Sequence, residues 1–493
     1  MRKVTSAQKP STHLPKQNSR KLYLGSHSRP SNVHVKLLTR TVTNLPPGPR
    51  TSSLLGVVRE FARNPLGVVT QAVQDYGDCV LLPGPFGRNV YLLNQPGLIH
   101  EVLVTQVDKI EKPEPLKWIF RSSFGNGLFF SEGKFWRRQR RLAQPAFHHK
   151  RLQSYAEGMT RRADQLLATW EDGQLRDIRK DMSATTLNVV VGALFQSSVE
   201  DDTDRIHQAL HELGDILEHQ GIANPLLALV PDWAPLPLMR RKRRAAGALD
   251  AIVYRFIQEH RAANTDTGDL LSILMLAEEE DGQRMSDRQL HDEVMTIFIA
   301  GHETTALTLT WAFALLAQSP AVEQKLHAEL DTVLKGRLPT LADLANLPYA
   351  EMVIKETLRL YPISWLILRQ ATADLQVGPY HVPKGHQIWI SPYTMHRHPD
   401  YFNTPEVFQP ERFGLEGGLD LESRLPKFAY MPFGGGPRIC IGNAFALMEA
   451  RLVLATIAQR YRLVFDPGSK VQLRVGNLLG FQNGASMRVL SRS

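Results

Sequence analysis

FGGGPRICIGNAFALMEARL, residues Phe433–Leu452, holds Cys440, one of only two cysteines in 493 residues. Three glycines and a proline precede the thiol, and a helical pattern follows it. Glycines allow the backbone to come close to a neighbour. A helix start brings N–H groups and a positive dipole end to the sulfur, which favours a thiolate. Such a thiolate is a nucleophile or a metal ligand. A nucleophile needs a base that the sequence does not locate. Zinc needs further Cys or His close by, and none is present. Axial ligation of a haem iron needs one thiolate only. The other cysteine, Cys79, lies in a strand-like run, DCVLLPG, and reads as a small core residue.

Composition sets the frame. With 43% hydrophobic and 22% charged residues, the chain suits a large globular body. Two cysteines exclude a disulfide framework and point to a reducing compartment. The net charge of +9 belongs to residues 1–44, which carry nine basic residues and no acid. The remainder holds 49 basic and 49 acidic residues, so a nucleic-acid-binding body is not indicated. The segment 1–44 reads as a disordered basic tail: a leader, a targeting peptide or a contact for an anionic surface. LPPGPR, Leu45–Arg50, closes it, and residues 45–493 read as one domain. No run approaches 18 apolar residues, so no transmembrane anchor is expected.

The body reads as mainly α with a smaller β portion. Short strands precede about residue 98, helices follow, and loops and hairpins return from about 378. A long helix stands out between a capping box at Ser286 and Gln289 and a stop at Pro320. Its apolar centre contains AGHETT, Ala300–Thr305. A mid-helix glycine, an acid inside an apolar span and a threonine able to bond back to Ala300 are each unfavourable locally. Together they mark a functional site. KETLRLYP places Glu356 and Arg359 on one helix face, and FWRRQRR does the same for Trp136 and Arg140. Alone, these read as a surface ion pair and a solvated basic face.

Together these segments resemble the cytochrome P-450 family of haem-thiolate monooxygenases. FGGGPRICIG matches its cysteine-loop signature, AGHETT its oxygen-activating motif, Glu356–Arg359 its ExxR, and PERF at Pro410–Phe413 and WxxxR at Trp136–Arg140 two further motifs. The resemblance implies the P-450 fold, with a long central helix over haem b and the cysteine loop on the proximal side. It implies that Cys440 ligates the haem iron, with Phe433 packed near the thiolate. Trp136, Arg140, Arg369 and Arg438 then hold the haem propionates, and Glu356, Arg359 and Arg412 brace the proximal side. Glu303 and Thr304 relay protons to dioxygen, and Gly301 leaves room for it. The implied reaction inserts one atom of O2 into an apolar fatty acid, terpene or steroid-like molecule.

By the same resemblance the pocket walls are Lys112–Phe130, Pro225–Met239, Ile297 and Phe298, Ile363–Leu368 and Leu478–Met487. Asn224–Arg244 pairs an apolar loop with a basic run, as in a lid that touches lipid. Electrons come from a separate ferredoxin and its reductase or from a flavoprotein, docking near Arg137–Arg141. A soluble, cytoplasmic monomer is expected. A peroxygenase or isomerase shares the haem site but often lacks the acid–alcohol pair; a haem sensor needs no proton relay.

Overall fold

A computed structural model describes residues 44–49, 54–84, 87–195, 200–220, 230–263, 268–278, 282–466, 468 and 471–492. The expected tail lies outside the described residues, apart from Asn44. Helices dominate, and short sheets lie beside them. Eight of the helices position the site. They are α1 (Glu114–Phe124), α2 (Gly133–Ala143), α3 (Ile178–Phe195), α4 (Glu200–Gln220), α5 (Pro237–Ala263), α6 (Asp287–Ala317), α7 (Pro348–Leu360) and α8 (Asn443–Ala458).

Helix α6 is the axis of the core. It packs along α3 and also meets α5, α7 and α8. Its start is the expected capping box: the Ser286 hydroxyl accepts from Gln289 N at 3.3 Å, and the Gln289 side chain accepts from Ser286 N at 2.8 Å. From Leu290 to Leu316 it is buried, except at Ile297, Ile299, Ala300, Gly301, Glu303 and Thr304. Ile297, Ala300, Gly301 and Thr304 follow helical spacing, so one face of a core helix keeps accessible surface.

A five-stranded sheet flanks the helices. It contains β1 (Cys79–Leu82), β2 (Val90–Leu93), β3 (Ile110–Glu111), β4 (Ile367–Ala371) and β5 (Gln387–Ile390), in the order β1-β2-β5-β4-β3. Only β2 and β5 run parallel, with Val90 opposite Gln387. Cys79 is a core residue, as expected; burial pushes its thiol up to about 12. A hairpin of β6 (Leu473–Val475) and β7 (Leu479–Phe481) docks on the Ile363–Trp365 segment. Leu479 N donates to Ile363 O at 3.0 Å, and Trp365 Nε1 donates to Gly476 O at 2.8 Å.

The Glu356–Arg359 pair is not on the surface. Both side chains have no accessible area. Arg359 binds Glu356 through both carboxylate oxygens, at 2.7 and 2.9 Å, and Arg412 Nε donates to Glu356 at 2.9 Å. The spare Arg359 donors reach His396 O and Pro405 O at 3.0 and 2.7 Å. Such a bidentate, fully satisfied pair can be buried without a net penalty, but removing one partner strands a charge. Arg359→Met is therefore expected to lower stability by about 3–5 kcal/mol, measured as a shift in the urea unfolding midpoint; a shift under about 1 kcal/mol would show that the pair is dispensable.

Candidate active site

The cysteine loop precedes α8. Gly434 and Gly436 have φ of +73° and +66°, which side chains avoid. A Cβ on Gly436 would lie 2.2 Å from Leu103 O, and one on Gly435 would lie 2.1 Å from the Phe428 ring. The close approach demanded by the glycines is thus to the protein's own chain. Cys440 N donates to Phe433 O at 3.0 Å, closing the loop. The Gly442 N–H and the Arg140 guanidinium favour the thiolate, but burial outweighs them and raises the thiol pKa. Burial thus opposes the thiolate that the loop and helix start favour. Cys440 nonetheless keeps accessible surface. Cys440 and one face of α6 thus both keep accessible surface.

Cations gather at one side of the loop. Arg438 stacks 4.0 Å from the Trp136 ring centroid and donates to Ser131 O at 2.8 Å. It also pairs with Glu132, while its Nη1 is buried without a partner. Burial lowers its pKa to about 10. Arg369 on β4 meets only Leu368 O, at 2.8 Å, and burial lowers it to about 10 as well. Lys112 is held well below the usual lysine range by burial and then by Arg369, Arg438, Lys117 and Arg121. A buried cluster of cations short of acids, beside one accessible thiol, fits a flat group bearing an iron and two carboxylates. Trp136, Arg369 and Arg438 are thus brought together. Arg140 points elsewhere: its Nη1 donates to Ile439 O at 2.9 Å, beside the cysteine.

On α6, Thr304 Oγ1 donates to Ala300 O at 2.6 Å, the expected back-bond. Glu303 turns toward α3, where Arg179 Nη2 donates to it at 2.9 Å and Ser183 Oγ lies 3.5 Å away. A Cβ on Gly301 would come within 3.0 Å of Val190 Cγ2 of α3, so the glycine also eases the approach of the two helices. Of the expected walls, Ile297 is on the open stripe, while Phe298 is buried against Phe195. Residues 225–229 lie outside the described residues. The basic run is mixed: Lys242 is buried and donates to Ser122 Oγ and Asp232 Oδ1 at 2.9 and 2.8 Å, whereas Arg240, Arg241, Arg243 and Arg244 are exposed. Arg241 pairs with Glu212. Trp233 remains 77% exposed.

Sequence reasoning missed Lys112 as part of the cationic cluster, and it missed Glu132 and Arg179. Glu303, partly buried in an apolar span, calls for a cation, but nothing in the sequence says which one. Among the described residues, no cluster of three His, Cys, Asp or Glu could hold a bare metal ion, and no single helix is long and apolar enough to cross a membrane.

The cytochrome P-450 family model matches residues 46–485. The chain belongs to the cytochrome P-450 family. Cyclooctatin synthase of Streptomyces melanosporofaciens is 38% identical over 85% of this chain and 90% of its own length. Pentalenene oxygenase of Streptomyces avermitilis is 32% identical over 86% and 92%. The crystal structure of the cytochrome P450DA heme domain superposes with a TM-score of 0.80 at 27% identity, covering 91% of this chain and 98% of that one. The mainly helical fold expected from the sequence is that of this family. Membership makes the chain a monooxygenase and implies a haem cofactor.

Arg438→Leu is expected to weaken haem uptake by the apoprotein by about tenfold, on the order of one buried charge-assisted pair. Haem titration checks this, and an unchanged affinity would remove Arg438 from the cofactor cradle.

Proposed function

We propose that this P-450 hydroxylates or epoxidises a terpene-like hydrocarbon. One oxygen atom of O2 enters the substrate and the other leaves as water, with two electrons and two protons taken up. The reading narrows the sequence expectation of a fatty acid, terpene or steroid. What supports it is the apolar open stripe of α6, together with two relatives whose names concern cyclooctatin and pentalenene.

In this reading residues 45–493 form one haem domain. Haem b, held through Cys440 and its propionates, supplies redox-active iron whose thiolate ligand favours O–O cleavage. Phe433 braces the ligand loop through its carbonyl. Arg438, Arg369 and Lys112 neutralise the propionates, with Trp136 beneath Arg438 and Arg140 steadying the loop at Ile439. Thr304, on the open face of α6, hands on protons from its hydroxyl, and Glu303 resupplies it from the α3 side. Ile297 and Ala300 exclude water and orient the apolar substrate. Glu356, Arg359 and Arg412 act at a distance by bracing the loop. Electrons come from a separate ferredoxin or flavoprotein that docks near the basic Arg137–Arg141 face. A soluble cytoplasmic enzyme is proposed, with Trp233 the point of any lipid contact.

The test is a spectral titration of the ferric enzyme with terpene hydrocarbons, fatty acids and steroids. Terpenes are expected to give the saturable shift to high spin; a shift with fatty acids alone would overturn the substrate class. Thr304→Ala is expected to keep haem and divert most electrons to peroxide, and unchanged coupling would remove Thr304 from the relay.

A further inference from the structure

Residues 125–132 link α1 to α2 and lie against the early turns of α6. Two adjacent acids of α6 hold this link by its backbone. Asn126 N donates to Asp292 Oδ2 at 2.8 Å, and Leu128 N donates to Glu293 Oε2 at 3.0 Å. The approach is close: a Cβ on Gly127 would lie 2.2 Å from both Asp292 O and Thr296 Oγ1. His291 fixes the first acid, with Nδ1 3.0 Å from Asp292 Oδ1 and Nε2 2.9 Å from Asp250 Oδ1 of α5. Glu293 is only 2% exposed.

The other end of the link meets the cysteine loop. Phe130 N and Ser131 N both donate to Gly127 O, at 3.0 and 2.9 Å, and Arg121 of α1 donates to Phe130 O. Ser131 O accepts from Arg438 Nη2 at 2.8 Å. Glu132 pairs with Arg438 and accepts from Lys112 N at 3.0 Å. A short run of backbone bonds thus joins the two acids to Arg438, whose buried Nη1 has no partner.

We infer that Asp292 and Glu293 are positioning residues for the haem cradle: they clamp residues 125–132 to α6, and that link aims Arg438 at a haem carboxylate. The inference rests on the reading of Arg438 as a propionate partner. The acids act through the backbone alone. A buried N–H left without an acceptor is costly, so removing either acid lets the link move off α6. Burial pushes the Glu293 carboxyl up to about 8, against the pull of the Leu128 N–H. It is therefore neutral at neutral pH and accepts as an amide would. Ionisation places a second charge beside Asp292 in a buried site, which weakens the clamp. The other charged or titratable groups around the pair are His291, Asp287 and Arg288 of α6, Asp250 and Tyr254 of α5, and Arg121 of α1. Against burial, Asp250 and Asp292 hold His291 up to about 9, so Glu293 is the first of the two to lose its proton as pH rises.

The test follows haem release from the ferric, haem-loaded enzyme to an excess of haem-free globin. Glu293→Leu and Asp292→Ala are each expected to release haem about tenfold faster than wild type at neutral pH. Glu293→Gln is expected to hold haem as wild type does, because its amide oxygen accepts from Leu128 N. Raising the pH from about 7 to about 8.5 is expected to speed release from wild type but not from Glu293→Gln. In an Arg438→Leu background, Glu293→Leu is expected to add less than about twofold. A full tenfold there would overturn action through Arg438.

If Glu293→Leu fails to load haem, the pH series of wild type against Glu293→Gln carries the test, and the same pH dependence in both would overturn the clamp. Unchanged release in Glu293→Leu and Asp292→Ala, with faster release in Arg438→Leu, would overturn the clamp and leave the cradle standing. Unchanged release in all three would overturn the reading of Arg438 itself.

Discussion

Arg359 is an arginine with no accessible surface, and the cysteine loop hangs from it. Its guanidinium is neutralised by Glu356 and spends a further donor on His396 O. Burial and the adjacent arginines Arg359 and Arg397 push His396 down to about 3, so its ring stays neutral and can accept at Nε2. Met431 N donates there at 2.9 Å, Gly434 N donates to Met431 O, and Cys440 N donates to Phe433 O. The chain of bonds runs from the buried ion pair to Cys440. Without Arg359, burial would still keep His396 neutral, but the loop would lose an anchor.

The second constraint is that α6 must carry polar groups through an apolar core. The helix does so by assigning each one a face. Thr304 bonds back to its own turn, and Glu303 finds a cation on α3. His302 Nδ1 donates to Phe298 O at 2.6 Å, while its own carbonyl accepts from Thr186. The polar cost falls on partner helices and leaves the open stripe apolar.

What the sequence made legible was local. The capping box at Ser286, the break before Pro320, the back-bond from Thr304 and the glycine-forced turn before Cys440 all depend on residues within a few positions of one another. The matched motifs extended this to the family and the fold. What stayed hidden were pairings over long separations. Arg179 reaches Glu303 across 124 positions, and Glu132 reaches Arg438 across 306. Such pairs are set by how helices pack, and no spacing rule predicts them. Lys242 shows a related miss: the basic run read as part of a lid touching lipid contains a buried lysine, because α1 presents acceptors to it. Gly301 was legible as unusual, yet the approach of Val190, on a helix more than a hundred residues earlier, was not.

The measurement that bears most directly on the account is the absorption spectrum of the reduced, CO-bound protein. The account predicts a Soret band of the red-shifted thiolate type in the wild-type chain, lost in Cys440→Ala. A haem-loaded wild-type protein with an unshifted band, or a Cys440→Ala variant that keeps the red shift, would contradict the assignment of Cys440 as the iron ligand.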